Sequence, residues 1–284
     1  MKIVVTGARG QLGKELCYQL AEKAVATDVD TLDLTERGAV RRAILDMNPD
    51  AIINCAAYTA VDQAESEPGV CRAVNAMAPE YLAAVAMELD CPLVQISTDH
   101  VFNGPPDRTE PYREDEPPTA ESVYARTKLE GEQAAAKHEK HLIVRTCGLY
   151  ARPSDEQAGN FVKTMLRLGR TVKELSVVAD QHCTPSYVPD VARAVAFLVG
   201  ATAAEPAPWG IYHVTNRGRT TWHEFATEIF RLADVDVPVR AITTAEYGPA
   251  APRPAYSVLD TTKYESLGGP AMPTWQEALA EYFS

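Results

Sequence analysis

No apolar run in this 284-residue chain approaches the roughly 18 residues that suggest a membrane span. No signal-like apolar stretch precedes Ile3-Val4-Val5, so a cytoplasmic protein with no membrane partner is expected. There is no Cys-x-x-Cys and no Cys/His cluster. The six cysteines, Cys17, Cys55, Cys71, Cys91, Cys147 and Cys183, are scattered. That spacing argues against a zinc site or a disulfide framework and favours a reducing compartment. Cations are scarce: 27 Lys and Arg stand against 39 Asp and Glu, a formal net charge of −12. Such a balance argues against nucleic acid as a partner, and an anionic substrate would need a local basic pocket. No internal repeat is evident.

What remains is an ordinary soluble composition arranged in alternation. Ile3-Val4-Val5, Ala24 to Asp28, Ala51 to Cys55, Leu93 to Ser97 and Leu142 to Arg145 read as short buried strands. Helical patterns fall between them at Gln11 to Glu22, Thr35 to Met47, Pro79 to Leu89 and Val123 to His138. Thr35 is expected to cap the second helix, and Asn48-Pro49 to end it. Unbroken β-branched runs alternating with helices predict an α/β fold with a doubly wound parallel sheet, covered on both faces. The segment Phe102 to Glu121, with five prolines and many charges, reads as a long functional loop. Beyond residue 150 the pattern weakens, although Phe161 to Leu168 and Trp222 to Ala233 look helical. We expect a dinucleotide-binding domain over 1–150, with segments near 176–200 returning to it. Residues 151–284 are expected to form mainly a smaller α/β substrate-binding domain.

Gly7-x-x-Gly10-x-x-Gly13 follows a strand and opens a helix. Glycines there let the backbone turn tightly and approach a pyrophosphate at a helix N-terminus. Asp28 ends the second strand, where a carboxylate accepts from ribose hydroxyls and disfavours a 2′-phosphate. Arg9, in the turn itself, favours the 2′-phosphate. The cues oppose each other, and NADH and NADPH both stay open as cofactor.

Tyr124 and Lys128 are four residues apart and share one face of a helix. A phenol can deliver a proton to a carbonyl oxygen, and a nearby cation eases its ionisation. Ser97-Thr98-Asp99 lies at the carboxyl end of the fourth strand, where open parallel sheets place their ligands. A hydroxyl there can donate to an oxygen that gains negative charge. Each residue alone is better read as packing, a solvated charge or a cap. In this order, after this turn, they point to carbonyl reduction.

These residues carry a resemblance. Gly7 to Gly13, the run Asn54-Cys55-Ala56-Ala57-Tyr58-Thr59-Ala60-Val61-Asp62, Ser97-Thr98-Asp99-His100-Val101-Phe102 and Tyr124-x-x-x-Lys128 resemble the extended short-chain dehydrogenase/reductases. Within these the chain is most similar to the dTDP-4-dehydrorhamnose reductase family, and the likeness continues through Arg253-Pro254-Ala255-Tyr256-Ser257. The resemblance implies Thr98, Tyr124 and Lys128 as catalytic residues. It implies Gly7, Gly10, Gln11 and Leu12 around the pyrophosphate, and Asp28, Asp33 and Leu34 beside the adenosine. Ala57, Tyr58 and Thr59, with Tyr124 and Lys128, would line the cofactor groove. Val61, Thr98, Asp99 and Tyr124 would touch the sugar. The implied activity is NAD(P)H-dependent reduction of the C4 ketone of a nucleotide-linked 4-keto-6-deoxy sugar, in dTDP-rhamnose biosynthesis.

Departures from the family pattern bear on the sugar. Gly148 stands where a tryptophan is common, His100 replaces a tyrosine, and Ala125 replaces a glycine. Some members bind magnesium through glutamates at a dimer interface. Glu15 matches one such position but Pro189 stands at another, so no metal site is predicted, and a homodimer is left open. Two other readings stay beside the reductase. One is a sugar-nucleotide epimerase or dehydratase, and the other a noncatalytic dinucleotide-binding regulatory subunit.

Overall fold

A computed structural model describes residues 1–152 and 159–284. Among the described residues ten strands are formed: β1 (Ile3–Thr6), β2 (Ala24–Thr27), β3 (Ala51–Asn54), β4 (Leu93–Thr98), β5 (His141–Thr146), β6 (Leu175–Val178), β7 (His182–Cys183), β8 (Gly210–His213), β9 (Thr220–Thr221) and β10 (Val239–Ile242). Between β1 and β5 lie the helices α1 (Gln11–Leu20), α2 (Arg37–Met47), α3 (Val61–Ala64), α4 (Pro68–Arg72), α5 (Ala78–Leu89) and α6 (Val123–Ala135). Later come α7 (Phe161–Gly169), α8 (Val188–Ala201), α9 (Trp222–Leu232), α10 (Thr244–Tyr247), α11 (Thr262–Ser266) and α12 (Trp275–Tyr282).

Six strands make one parallel sheet in the order β2-β1-β3-β4-β5-β8. Alternate residues of each strand enter different cores. Val5, Ile53, Ile96 and Val144 pack with Leu16 of α1 and Val195 of α8. Val4, Ile52, Leu93 and Ile143 pack with Ile44 of α2 and Leu82 of α5. This period of two, with both faces apolar, is why the strands read as unbroken hydrophobic runs. Strand order reverses on either side of β1, which opens a crevice at the carboxyl ends of the central strands.

The later residues divide between two structures. Helix α8 packs on α1, and β8 adds the sixth strand of the main sheet. Strand β6 instead pairs in parallel with β10, and β7 pairs antiparallel with β9. The β6–β10 sheet sits over an aromatic core that includes Tyr150, Phe225, Trp275 and Tyr282.

Two local expectations change. Thr35 does not cap α2: Glu36 holds the N-cap position without a side-chain cap bond, and the Thr35 hydroxyl donates to Asp33 Oδ1 at 2.7 Å. The nearer carboxylate takes the hydroxyl first. The proline-rich segment is a loop as predicted, but it carries a core of its own. Phe102 stacks on Tyr112 at 4.1 Å, and both pack with Tyr256 and Val258.

Candidate active site

At the crevice the chain leaves β1 through Gly7, whose φ of +63° lies in the left-handed region. Gly10 is the N-cap of α1 and supplies no side-chain cap. The first amides of that helix therefore face the crevice, ready for an anion. Gly13 answers a different need: a Cβ there would lie 2.2 Å from the Gly7 carbonyl oxygen. The helix can approach the strand this closely only without a side chain.

At the end of β2 the Asp28 carboxylate is pinned from both sides. Arg9 N donates to Oδ2 and Val29 N to Oδ1, each at 2.8 Å. The Arg9 guanidinium itself pairs with Asp30. Two amides hold the carboxylate in place where a ribose would meet it, and the nearby cation is engaged elsewhere. Asp33 accepts from the amide and hydroxyl of Thr35, which hold its carboxyl below the usual carboxylate range.

The floor of the crevice is a buried polar ladder. Thr6, Asn54 and Gln95 are register neighbours across β1, β3 and β4. Thr6 Oγ1 donates to Asn54 Oδ1 at 2.6 Å, and Asn54 Nδ2 donates to Gln95 Oε1 at 2.8 Å. Gln95 Nε2 ends the ladder on the Ile96 carbonyl oxygen at 2.9 Å. Polar groups this deep stay only because each is paired.

Helix α6 starts at Ser122, whose side chain accepts from Ala125 N. It presents Tyr124, Lys128 and Glu132 at successive intervals of four. Tyr124 lies beside Thr98 at the end of β4. Burial pushes its phenol up to about 12, and the Thr98 hydroxyl pulls it partly back. A phenol held neutral is in the right state to give a proton. Burial pulls the Lys128 ammonium down to about 8, with Glu132 opposing that pull. The ammonium donates to the Ile96 carbonyl oxygen at 2.6 Å, the same oxygen that ends the amide ladder. Thr98 Oγ1 accepts from His100 N and donates to Asp99 Oδ1, both at 3.2 Å.

A groove of about 740 Å³ joins these parts. Gly7, Gly10, Gln11 and Leu12 line it at one end, together with Asp28, Asp33 and Leu34. Ala57, Thr59, Thr98, Tyr124 and Lys128 line it at the other. Tyr58, Val61 and Asp99 do not. The Tyr58 backbone is clamped by the Asn75 amide, and its hydroxyl donates to Glu67 Oε2 at 2.7 Å. Val61 packs with Tyr124 in a small apolar cluster. The Asp99 carboxylate is committed to Thr98 and to Ser257, whose Oγ donates to Oδ2 at 2.5 Å.

Several residues here were not singled out in the sequence. Arg145, on β5, forks onto Glu132 with contacts of 2.9 and 2.7 Å, and both side chains are almost wholly buried. The spacing of four from Lys128 to Glu132 was available as a signal. Nothing local marked Arg145 or Ser257, because each meets its partner only through the fold.

Glu15 was the one candidate for a magnesium ligand, and its surroundings do not suit a cation. Arg152 donates to both of its oxygens at 3.0 Å, and Gln19 Nε2 adds a third donor at 2.9 Å. Among the described residues no group of three or more His, Cys, Asp or Glu side chains could hold a metal ion.

The profile of a family described as RmlD substrate binding domain matches residues 1–284. A dTDP-4-dehydrorhamnose reductase of Streptomyces griseus is 42% identical over 286 residues, covering 99% of this chain and 92% of the relative. A probable dTDP-4,6-dihydroxy-2-methyloxan-3-one 4-ketoreductase of Streptomyces antibioticus is 40% identical, covering 100% of this chain and 95% of the relative. A solved dTDP-4-dehydrorhamnose reductase of Bacillus anthracis, in complex with NADP, is 39% identical with a TM-score of 0.92. It covers 100% of this chain and 99% of that one.

Proposed function

We propose a function from one premise: this chain belongs to the RmlD substrate binding domain family. It is an NADPH- or NADH-dependent oxidoreductase. It reduces the C4 ketone of a nucleotide-linked 4-keto-6-deoxy sugar, and its place is dTDP-rhamnose biosynthesis. The observation that carries this reading is the convergence of Thr98, Tyr124 and Lys128 on one groove whose other end is the glycine turn.

The residues present fit a dinucleotide. The uncapped N-terminus of α1 suits its pyrophosphate, and the pinned Asp28 carboxylate suits a ribose. Lys128 and Thr59 line the groove farther on. When bound, the nicotinamide supplies the hydride. The chain does the rest. Thr98 and Tyr124 hold the ketone oxygen, and the phenol of Tyr124 gives it a proton as negative charge develops. Lys128, fixed on the Ile96 carbonyl, keeps positive charge beneath the phenol and helps it regain a proton from solvent. The product is the C4 alcohol, one hydride and one proton richer than the ketone.

We assign the sheet half of the chain to the cofactor and the residues after 150 mainly to the sugar, with α8 and β8 returning to the sheet. The partner is a small nucleotide sugar. A cytoplasmic location accords with a soluble substrate and cofactor. Two sugars are the natural candidates, the one named for the Streptomyces griseus relative and the one named for the Streptomyces antibioticus relative. His100 and Gly148, near Tyr124 and the groove, are where these would be told apart.

The test is direct. Purified protein is given dTDP-4-keto-L-rhamnose with NADH or NADPH, and oxidation is followed at the nicotinamide absorbance. Oxidation of one cofactor with matching formation of the alcohol is expected. A folded protein that oxidises neither sinks the reading. Tightly held oxidised cofactor without net consumption would point to an epimerase instead.

A further inference from the structure

The buried carboxylate of Glu132 is a meeting point that the proposed chemistry has not yet used. It lies one turn beyond Lys128 on α6 and takes bonds from two neighbouring strands. From β4, Ser97 Oγ donates to Oε1 at 2.5 Å. From β5, Arg145 Nε donates to Oε1 and Nη2 to Oε2, at 2.9 and 2.7 Å. Ser97 and Arg145 are register partners, so one carboxylate staples two strands to the helix. Ser97 also immediately precedes Thr98.

Burying an ion pair is costly, and a buried pair is weak grounds for stability alone. A carboxylate kept at this depth, in line with Tyr124 and Lys128, invites a role in the reaction. The surroundings of Lys128 sharpen that role. Its own helix supplies Tyr124 and Glu132. The end of β3 supplies Cys55, α4 supplies Cys71, and β4 supplies only the Ile96 carbonyl. Of these groups Glu132 is the one carboxylate. Arg145, in turn, is backed by the Phe102 ring at 5.0 Å and by His213 Nε2 at 3.4 Å. The guanidinium is thereby held on Glu132, sharing Oε1 with Ser97.

We propose that Glu132 is a positioning residue for the reduction: its carboxylate fixes the end of β4 that carries Thr98 and is the counter-charge of the Lys128 ammonium. This rests on the reductase reading above, but its electrostatic half is measurable without turnover. Burial draws the ammonium toward the neutral amine, and the negative charge one turn away opposes it. Removing that charge leaves less ammonium at a given pH.

The experiment uses the full chain with lysine Cε labelled by carbon-13, the Lys128 signal being assigned with Lys128→Met. Wild-type Lys128 should titrate near 8. The main variant is Glu132→Gln combined with Arg145→Met, which leaves no unpaired buried guanidinium and isolates the Lys128 ammonium. In it the Lys128 midpoint should fall, and the alkaline limb of kcat should move to lower pH by the same amount. An unchanged midpoint overturns the counter-charge role and leaves a merely structural ion pair. Ser97→Ala tests the other half and is the fallback if the double variant does not fold. It should lower kcat on the order of tenfold through loss of Thr98 placement, with KM for the cofactor and the Lys128 midpoint unmoved. An unaltered kcat in Ser97→Ala overturns the positioning role. If the midpoint falls as expected while the wild type reduces no keto sugar, the reductase reading fails and the electrostatic assignment stands.

Discussion

At the glycine-turn end of the groove, the turn and Asp28 are held over short distances in sequence. Gly10 N donates to the Gly7 carbonyl at 3.0 Å, and the pinned Asp28 takes its bond from an amide only 19 residues away. The end that carries Thr98 and Tyr124 is assembled from afar. Ser257 reaches Asp99 across 158 residues, Arg253 reaches Asp62 across 191, and His213 reaches the Tyr112 carbonyl across 101. One end is made by backbone shape and tolerates no added atoms. The other is made by polar side chains, and its weak points are charges and protons. Substitutions at the two ends should therefore fail in different ways.

The largest effect is expected at the glycine-turn end. Gly13→Ala places a methyl against the Gly7 carbonyl, and neither backbone can yield. A loss of more than about 3 kcal/mol is expected, read as a lowered thermal midpoint together with lost cofactor binding. A wild-type melting curve would break the comparison, because backbone fit would then not be what makes this end.

Next comes Tyr124→Phe at the other end. Turnover should fall by about 100-fold to 10,000-fold, while cofactor affinity and thermal stability stay close to wild type. Unchanged turnover would remove Tyr124 from the mechanism.

Third is the response to acid. Burial and the Arg145 guanidinium draw the His213 imidazole down to about 3. The unfolded chain takes up this proton below its ordinary range, near 6.5. Stability from His213 is therefore fully present above that pH and is lost as pH falls toward 3. The loss amounts to a few kcal/mol. Urea unfolding at stepped pH should show it, and His213→Gln should flatten the acid slope. An identical slope in the variant would locate acid sensitivity elsewhere.

The smallest effect concerns Glu15. Arg152 already supplies its positive partner from a half-exposed position. Arg152→Ala should cost no more than about 1 kcal/mol, and chelation of divalent ions should leave melting and turnover unaltered. A stability gain on adding magnesium to the wild type would overturn this account of Glu15.

How far the sequence reached follows the same division. The glycine turn, the strands from β1 to β5 and the Tyr124/Lys128 stripe are short-range patterns. Their period or spacing is written in consecutive residues. Helix α8 was not anticipated as a helix, although most of its residues are buried against the sheet. The Thr35 cap was misplaced because Thr35 and Asp33 compete for the same local bond.

The sequence by itself determined the doubly wound sheet, the crevice at β1 and the stripe that sets Tyr124 and Lys128 on one helix face. Each depends on chain stiffness and side-chain alternation within a few residues. Only the tertiary structure decided what surrounds that stripe. It put Arg145 on Glu132, Ser257 on Asp99 and Arg152 on Glu15. The reason is that a buried charge must be met by whichever partner the fold brings within about 3 Å, and the choice of partner is a property of packing, not of spacing along the chain.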